Sequence, residues 1–233
     1  MNCARAIVAV VAMWLFGMVD SPALDLEPRA GGAMALIAHG IAVFSVQCGE
    51  TRADKESVRL GNGVWVNEWK VAADCTARLE MIRVRRPAGI FATELLAVRL
   101  TIANRSTEPQ TVPVVLRLAP SSPTLRDLAF ERHAFFVEGQ PILVADTPSR
   151  GALLAESAFA SRPLTPQNAA HVTSTAGECR GQLFFDLTLA PGQSQTLGFL
   201  APSPLATSPA VEVSLDFLRS LRIDEFFPAA VAP

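Results

Sequence analysis

Leu96, Val98, Leu100 and Ile102 alternate with Ala97, Arg99, Thr101 and Ala103, and this two-residue period constrains the chain more than any other feature. Successive side chains of an extended strand point to opposite faces, so the four aliphatic residues share one face and need a core to bury it. Residues 104–110 (NRSTEPQ) are polar and turn-rich, after which Val112, Val114, Leu116 and Leu118 resume the alternation against Thr111, Pro113, Val115 and Arg117. The two runs read as an antiparallel hairpin. Proline cannot donate to a ladder, so Pro113 belongs on an edge or at an outward-facing position without a partner.

The same pattern recurs. Leu183, Phe185, Leu187 and Leu189 alternate with Gln182, Phe184, Asp186 and Thr188, Pro191 and Gly192 supply a turn, and residues 193–200 (QSQTLGFL) form the return strand. Leu79, Met81 and Val84 stand opposite Arg78, Glu80, Arg83 and Arg85, with a register break at Ile82 that a bulge absorbs. Residues 35–47 and 64–72 also read as strands. Short strands at regular intervals, punctuated by 17 prolines and 14 glycines, define the expected fold class as all-β: an antiparallel β-sandwich, supersandwich-like or immunoglobulin-like, with a short C-terminal helix. Two regions depart from the pattern. Residues 121–151 read as a long connection with a short helix over 124–132. Ser208 and Pro209 make an N-cap and first-turn pair, and Phe217, Leu218 and Leu221 lie at helical spacing, so a helix is expected over 209–221.

At the N-terminus, Arg5 precedes an apolar run over residues 6–19, followed by Asp20, Ser21, Pro22 and Ala23. This is the outline of a secretory signal peptide cleaved after Ala23, its apolar part shorter than the roughly 20 residues of a spanning helix. The expected organisation is a signal peptide over 1–23, a β-sandwich over 24–207, and a C-terminal helix and tail over 208–233, with the mature chain secreted or periplasmic. Cys3 leaves with the signal. Cys48, Cys75 and Cys179 remain, and in an oxidising compartment two of them can form one disulfide, the pair being open.

Twenty basic residues against 22 acidic ones give a net charge of −2, without the basic surplus that nucleic-acid binding requires. No polybasic run marks a membrane surface once the signal is removed. There is no CxxC, and His39, His133 and His171 stand too far apart for local metal ligation, so no metal and no cofactor are assigned. The sequence carries no G-x-S-x-G elbow, P-loop, HExxH or GxGxxG. Glycoside hydrolysis would draw on acids such as Glu68, Glu94, Glu131, Glu138 and Asp186, but spacing does not show that any two converge, and no catalytic residue is assigned.

The ligand-binding candidates lie in residues 61–71 (GNGVWVNEWKV), where a strand projects Trp65, Asn67 and Trp69 to one face. Exposed, two indoles flanking an amide suit a sugar: flat rings stack on pyranose C–H faces while the amide bonds hydroxyls. Buried, the same indoles are core anchors.

Trp69 opening a strand, the LLAVRLTIANRS run over 95–106, the VVLRLAP return over 114–120 and the LAPGQSQTLGFLAP segment over 189–202 together resemble the N-terminal β-sandwich domain of bacterial glycoside hydrolases and phosphorylases that carry an α-helical toroid. In that family the toroid holds the catalytic acids, so the resemblance implies an accessory domain without its catalytic partner, and the tail over 215–227 has the character of the linker leading to it. The expected function is therefore a secreted, non-catalytic sandwich that recognises carbohydrate or serves as a scaffold for a glycan-active partner; the alternative is a structural or protein-interaction domain of the cell envelope with no small ligand. The expected partners are a polysaccharide or another protein.

Overall fold

A computed structural model of the chain describes residues 28–29, 32–37, 42–49, 58–60, 63–72, 74–88, 91–121, 123–157, 165–204 and 215–227. The signal peptide expected over 1–23, and with it Cys3, lies outside these residues, as does His39. Among the described residues no helix is long and apolar enough to cross a membrane.

Among the described residues, fifteen strands build two antiparallel sheets. In chain order they are β1 (Pro28–Arg29), β2 (Gly32–Ile37), β3 (Ala42–Cys48), β4 (Val58–Arg59), β5 (Trp65–Ala72), β6 (Cys75–Ala88), β7 (Phe91–Asn104) and β8 (Gln110–Pro120). They continue with β9 (Asp127–Glu131), β10 (Ala134–Val137), β11 (Gln140–Ala145), β12 (Gly151–Ala155), β13 (Ala169–Thr173), β14 (Arg180–Leu189) and β15 (Ser194–Pro204). A short helix α1 (Leu215–Ser220) and one 3-10 turn (Ile223–Phe226) follow. The six-stranded sheet runs β1-β2-β3-β8-β14-β12 and the nine-stranded sheet β13-β9-β10-β11-β15-β7-β6-β5-β4. The chain is thus an all-β sandwich with a short C-terminal helix.

The core lies between the sheets, where the apolar half of each alternation meets its counterpart. Phe44 and Phe185 of the six-stranded sheet pack on Phe199 of the other, ring centroids 6.0 and 5.7 Å apart, and Leu96, Val98, Leu100, Ile102, Leu116 and Leu118 fill the space around them, all buried. Burying one such side chain contributes about 1.5–3 kcal/mol, which is why the alternation is kept through every long strand. At one side the sandwich is stitched shut: Ala152 of β12 exchanges both main-chain hydrogen bonds with Gln167, just before β13, which covers part of an edge that would otherwise offer unpaired amides.

Strand pairing departs from the sequence reading at both expected hairpins. β7 and β8 do not pair; β7 lies between β6 and β15, and β8 between β3 and β14. Likewise β14 and β15 belong to different sheets. The connections over 105–109 and 190–193 are arches that cross from sheet to sheet, side by side, because Ser194 pairs with Ala103 while Leu189 pairs with Gln110. Alternation is identical in a hairpin and an arch, since either way one face of each strand is buried, so periodicity carries no information on which forms. Pro113 faces outward as expected but on a central strand; it sits where β3 ends, and its carbonyl accepts from the Gly49 amide at 2.7 Å.

Two further expectations are corrected. Residues 121–151 are not a long connection with a helix at 124–132: they hold β9, β10 and β11, a meander closed by two tight turns at Arg132–His133 and Glu138–Gly139, with positive φ at all four residues. That geometry matches strand twist, and it went unread because the usual Asn-Gly signal is missing at Arg132–His133. No bulge interrupts Ile82; the β6–β7 ladder runs unbroken from Cys75 to Ala88, and Ile82 faces outward because the tail covers it. The helix expected over 209–221 is observed over Leu215–Ser220, residues 205–214 lying outside the described ones.

Candidate binding surfaces

Trp65, Asn67 and Trp69 share one face of β5, as expected, and that face looks into the sandwich. Asn67 is 2% exposed and Trp69 6%, while Trp65 is half-buried and packs against the core. The indole N–H of Trp69 has no hydrogen-bond partner among the described residues. The outward positions of the same strand, Glu68 and Lys70, are exposed. The structure therefore brings the three residues together as core anchors rather than as a stacking platform.

The expected disulfide is not formed. Cys48, Cys75 and Cys179 are three separate buried thiols. Burial pushes the Cys48 thiol up to about 12. It also raises Cys75, with Asp74 adding to the effect, and Cys179, with Asp127 and Glu156 adding. The Cys75 thiol lies 3.8 Å from Asn104 Oδ1 and the Cys179 thiol 3.7 Å from the Val172 carbonyl.

Of the carboxylates considered for catalysis, Glu68 pairs with Arg78 at 2.6 Å and Asp186 with Arg150 at 3.1 Å; Glu131 and Glu138 are exposed. His171 bonds Asp127 across β13 and β9 at 2.6 Å, and this contact holds the Asp127 carboxyl below its ordinary range. His133 Nδ1 lies 3.1 Å from Ser149 Oγ and 3.2 Å from the Ser149 amide nitrogen. A main-chain N–H can only donate, so we assign Nδ1 as an acceptor and the ring proton to Nε2. The histidine thereby staples the 146–150 loop to the β9–β10 turn, and its basic nitrogen is committed to that task. Beside it a cleft of about 330 Å³ is lined by His133, Asp146, Leu218, Arg219 and Ile223 among others.

One wall of that cleft is the C-terminal segment, which lies on the outer face of the nine-stranded sheet. Leu215 and Leu218 pack on Leu95, Ala134 and Val144; Ile223 and Phe227 pack on Val64, Ala97 and Leu200. Polar contacts fix the register of the segment. Arg99 grips Glu80 through Nε and Nη2, both at 2.8 Å, reaches Asp224 at 3.4 Å, and stacks over the Phe227 ring at 4.4 Å. Gly198 makes the approach possible, because a Cβ there would collide with the Asp146 carboxylate and with Ile223. The C-terminal segment thus finds a seat on its own sheet.

The outer face of the six-stranded sheet is different in chemistry. Its outward positions run Val43, Ser45 and Gln47 on β3, Val115, Arg117 and Ala119 on β8, Arg180, Gln182 and Phe184 on β14, and Leu153 and Ala155 on β12. Register places Ser45, Arg117, Gln182 and Leu153 in one row across four strands, with Gln47, Val115 and Phe184 in the next. All are half-buried. No one of them is conspicuous in the sequence. The signal was present as the polar half of each alternation, but only the strand order gathers it into one surface.

No family model matches this chain, and no curated protein matches it.

Proposed function

We propose that this chain is a secreted or periplasmic, non-catalytic β-sandwich module that recognises carbohydrate, alone or as the scaffold of a glycan-active partner. The observation that supports this reading best is the outer face of the six-stranded sheet, where Gln182 and Arg117 adjoin Phe184 and Ser45 and Gln47 lie one strand further on. Amides, a hydroxyl and a guanidinium offer donors and acceptors to sugar hydroxyls, and an aromatic ring offers a stacking surface to a pyranose C–H face. The resemblance to accessory sandwiches of glycan-active enzymes points the same way. Because both indoles of β5 face inward, the binding surface lies on strands other than the one that the tryptophans first suggested.

The test is retardation of the mature chain in native gels containing soluble polysaccharides, neutral and acidic. Retardation by at least one glycan, weakened in Phe184→Ala but unchanged in Lys70→Ala, is the expected result; mobility indifferent to every glycan overturns the reading.

A protein-interaction domain of the envelope is the second reading. It is favoured by β13, an edge strand whose residues Ala169–Thr173 pair with β9 on one side and stand largely exposed, a geometry open to strand addition by a partner.

A further inference from the structure

We infer that the cleft between the C-terminal segment and the nine-stranded sheet binds a free aliphatic amino acid as its zwitterion, the ammonium on Asp146 and the carboxylate on Arg219. The inference is independent of the carbohydrate reading, whose surface lies on the other sheet. The cleft of about 330 Å³ has an aliphatic floor. Val144 of β11 and Leu200 of β15 pair side by side, and Leu218, Leu221 and Ile223 of the C-terminal segment complete it. The volume is at the lower end of the roughly 300–1,000 Å³ of small-molecule sites, and no aromatic ring among the described residues lines the cleft. That suits a short branched hydrocarbon chain rather than a sugar, which uses a ring for stacking.

The charged groups at the rim decide the ligand class. Asp146 and Arg219 both line the cleft, yet they form no ion pair with each other or with any other described residue. Each is instead fixed by neutral partners and keeps an unused part. Asp146 Oδ1 accepts from the Gly198 amide and from the Thr147 hydroxyl, both at 2.9 Å, which leaves Oδ2 unbonded above Gly198 and beside Ile223. Nη2 of Arg219 donates to the Arg132 carbonyl, and its Nε and Nη1 have no partner among the described residues. His133 also lines the cleft, and with Nδ1 taken up by Ser149 its Nε2–H remains as a second donor for the carboxylate. An acceptor for an ammonium and donors for a carboxylate thus surround one aliphatic floor, each held in place before a ligand arrives, which lowers the cost of ordering on binding. The other charges of the segment do not line the cleft: Asp216 pairs with Arg132, Asp224 reaches Arg99, and Arg222 and Glu225 lie exposed.

Four probes, each titrated against the mature chain by calorimetry, separate the parts of the ligand. They are L-leucine; glycine, which keeps both charges and lacks the side chain; L-leucinamide, which lacks the carboxylate; and 4-methylpentanoate, which lacks the ammonium. Expected is binding of L-leucine, with each of the others at least tenfold weaker, the scale of one hydrogen bond to a charged group. Asp146→Asn, which keeps an oxygen for the Gly198 amide, and Arg219→Gln each lower the leucine affinity about tenfold on the same scale, while Arg222→Gln leaves it unchanged. Asp146→Asn also weakens leucinamide but not 4-methylpentanoate, and Arg219→Gln does the reverse, a crossed pattern that a folding defect does not give. Affinity for 4-methylpentanoate or leucinamide equal to that for leucine overturns the inference, because a charge is then not read. Equal affinity for glycine overturns it too, because the floor then takes no part, and so does binding of none of the four. Each of these failures leaves the carbohydrate reading standing, since that reading is tested at Phe184.

Discussion

The Nδ2 of Asn104, at the end of β7, donates to the carbonyl oxygen of Leu189 on β14, 3.1 Å away in the opposite sheet. The same nitrogen reaches the carbonyls of Glu108 at 2.8 Å and Ala190 at 3.3 Å, while Oδ1 accepts from the Ser106 amide and hydroxyl. One buried side chain thereby satisfies both arches at once, and the Asn104 main chain bonds Gly192 and Gln193 of the second arch. Leaving buried carbonyls unbonded costs about 1–3 kcal/mol each. Asn104→Ala is expected to lower stability by about 2–4 kcal/mol, read as a fall in the urea midpoint at unchanged slope. A loss under 0.5 kcal/mol would show that the arches hold without it.

Gly198 bears the C-terminal segment. A methyl group at this position meets Asp146 and Ile223 together, and neither yields cheaply: Asp146 Oδ1 accepts the Gly198 amide at 2.9 Å, and Ile223 is buried against Ala97 and Leu200. Gly198→Ala is expected to cost about 1–3 kcal/mol and to lift the tail from the sheet. Hydrogen exchange checks this, because amides over 215–227 would exchange faster while those of Leu96–Ile102 would not. Uniform acceleration instead would mean that the whole sandwich is loosened.

Arg99 holds the same segment from the other side. Its removal strands Glu80, which is largely buried, with Arg78 as the remaining partner at 3.1 Å, and removes the stack on Phe227. Arg99→Ala should cost about 2–3 kcal/mol. Arg99→Lys should recover only part of this, since an ammonium cannot make the two-pronged grip on one carboxylate. Adding Glu80→Gln to Arg99→Ala should restore stability relative to the single variant in a thermal unfolding series; additive losses would mean that the pair is not coupled.

Much of this fold was legible because burial and extended geometry leave the same mark in every long strand. Leu96, Val98, Leu100 and Ile102 face the core as their period requires. What periodicity could not supply is which strand pairs with which, and the two expected hairpins became arches for that reason. The outer-face neighbours also escaped, because Ala97, buried under the tail, looks in sequence like any solvent-facing alanine between aliphatics. Among site residues, the grouping of Trp65, Asn67 and Trp69 was readable and its direction was not, since a strand has two faces and sequence does not label them. Arg117 and Gln182 lie 65 positions apart in the chain (182 − 117) and become neighbours only through the β8–β14 register.

The Asp127–His171 contact predicts a pH effect of defined sign. The hydrogen bond from His171, and secondarily the Glu138 amide, lower the Asp127 carboxyl against a smaller opposing effect of burial. A carboxyl depressed in the folded state contributes stability that is fully present above its unfolded value, about 3.9, and is lost as pH falls through the folded value. Denaturation midpoints should therefore drop below about pH 4 more steeply in the wild type than in Asp127→Asn. Parallel curves throughout would mean that the exposed histidine contributes nothing.

The three buried thiols give a prediction that also tests the compartment. With Cys48 pushed up to about 12 and the other two raised, almost no thiolate exists at pH 8, and thiolate is the reacting species. In the chain lacking residues 1–23, Ellman's reagent should titrate none of the thiols under native conditions and all three cysteines once urea unfolds the sandwich, without prior reduction. Recovery of a single thiol from unfolded, unreduced protein isolated from an oxidising compartment would show that two of them had been joined, and that export traps a bridge that the folded core does not require. Recovery of three from the same source shows instead that folding buries each thiol before oxidation can reach it.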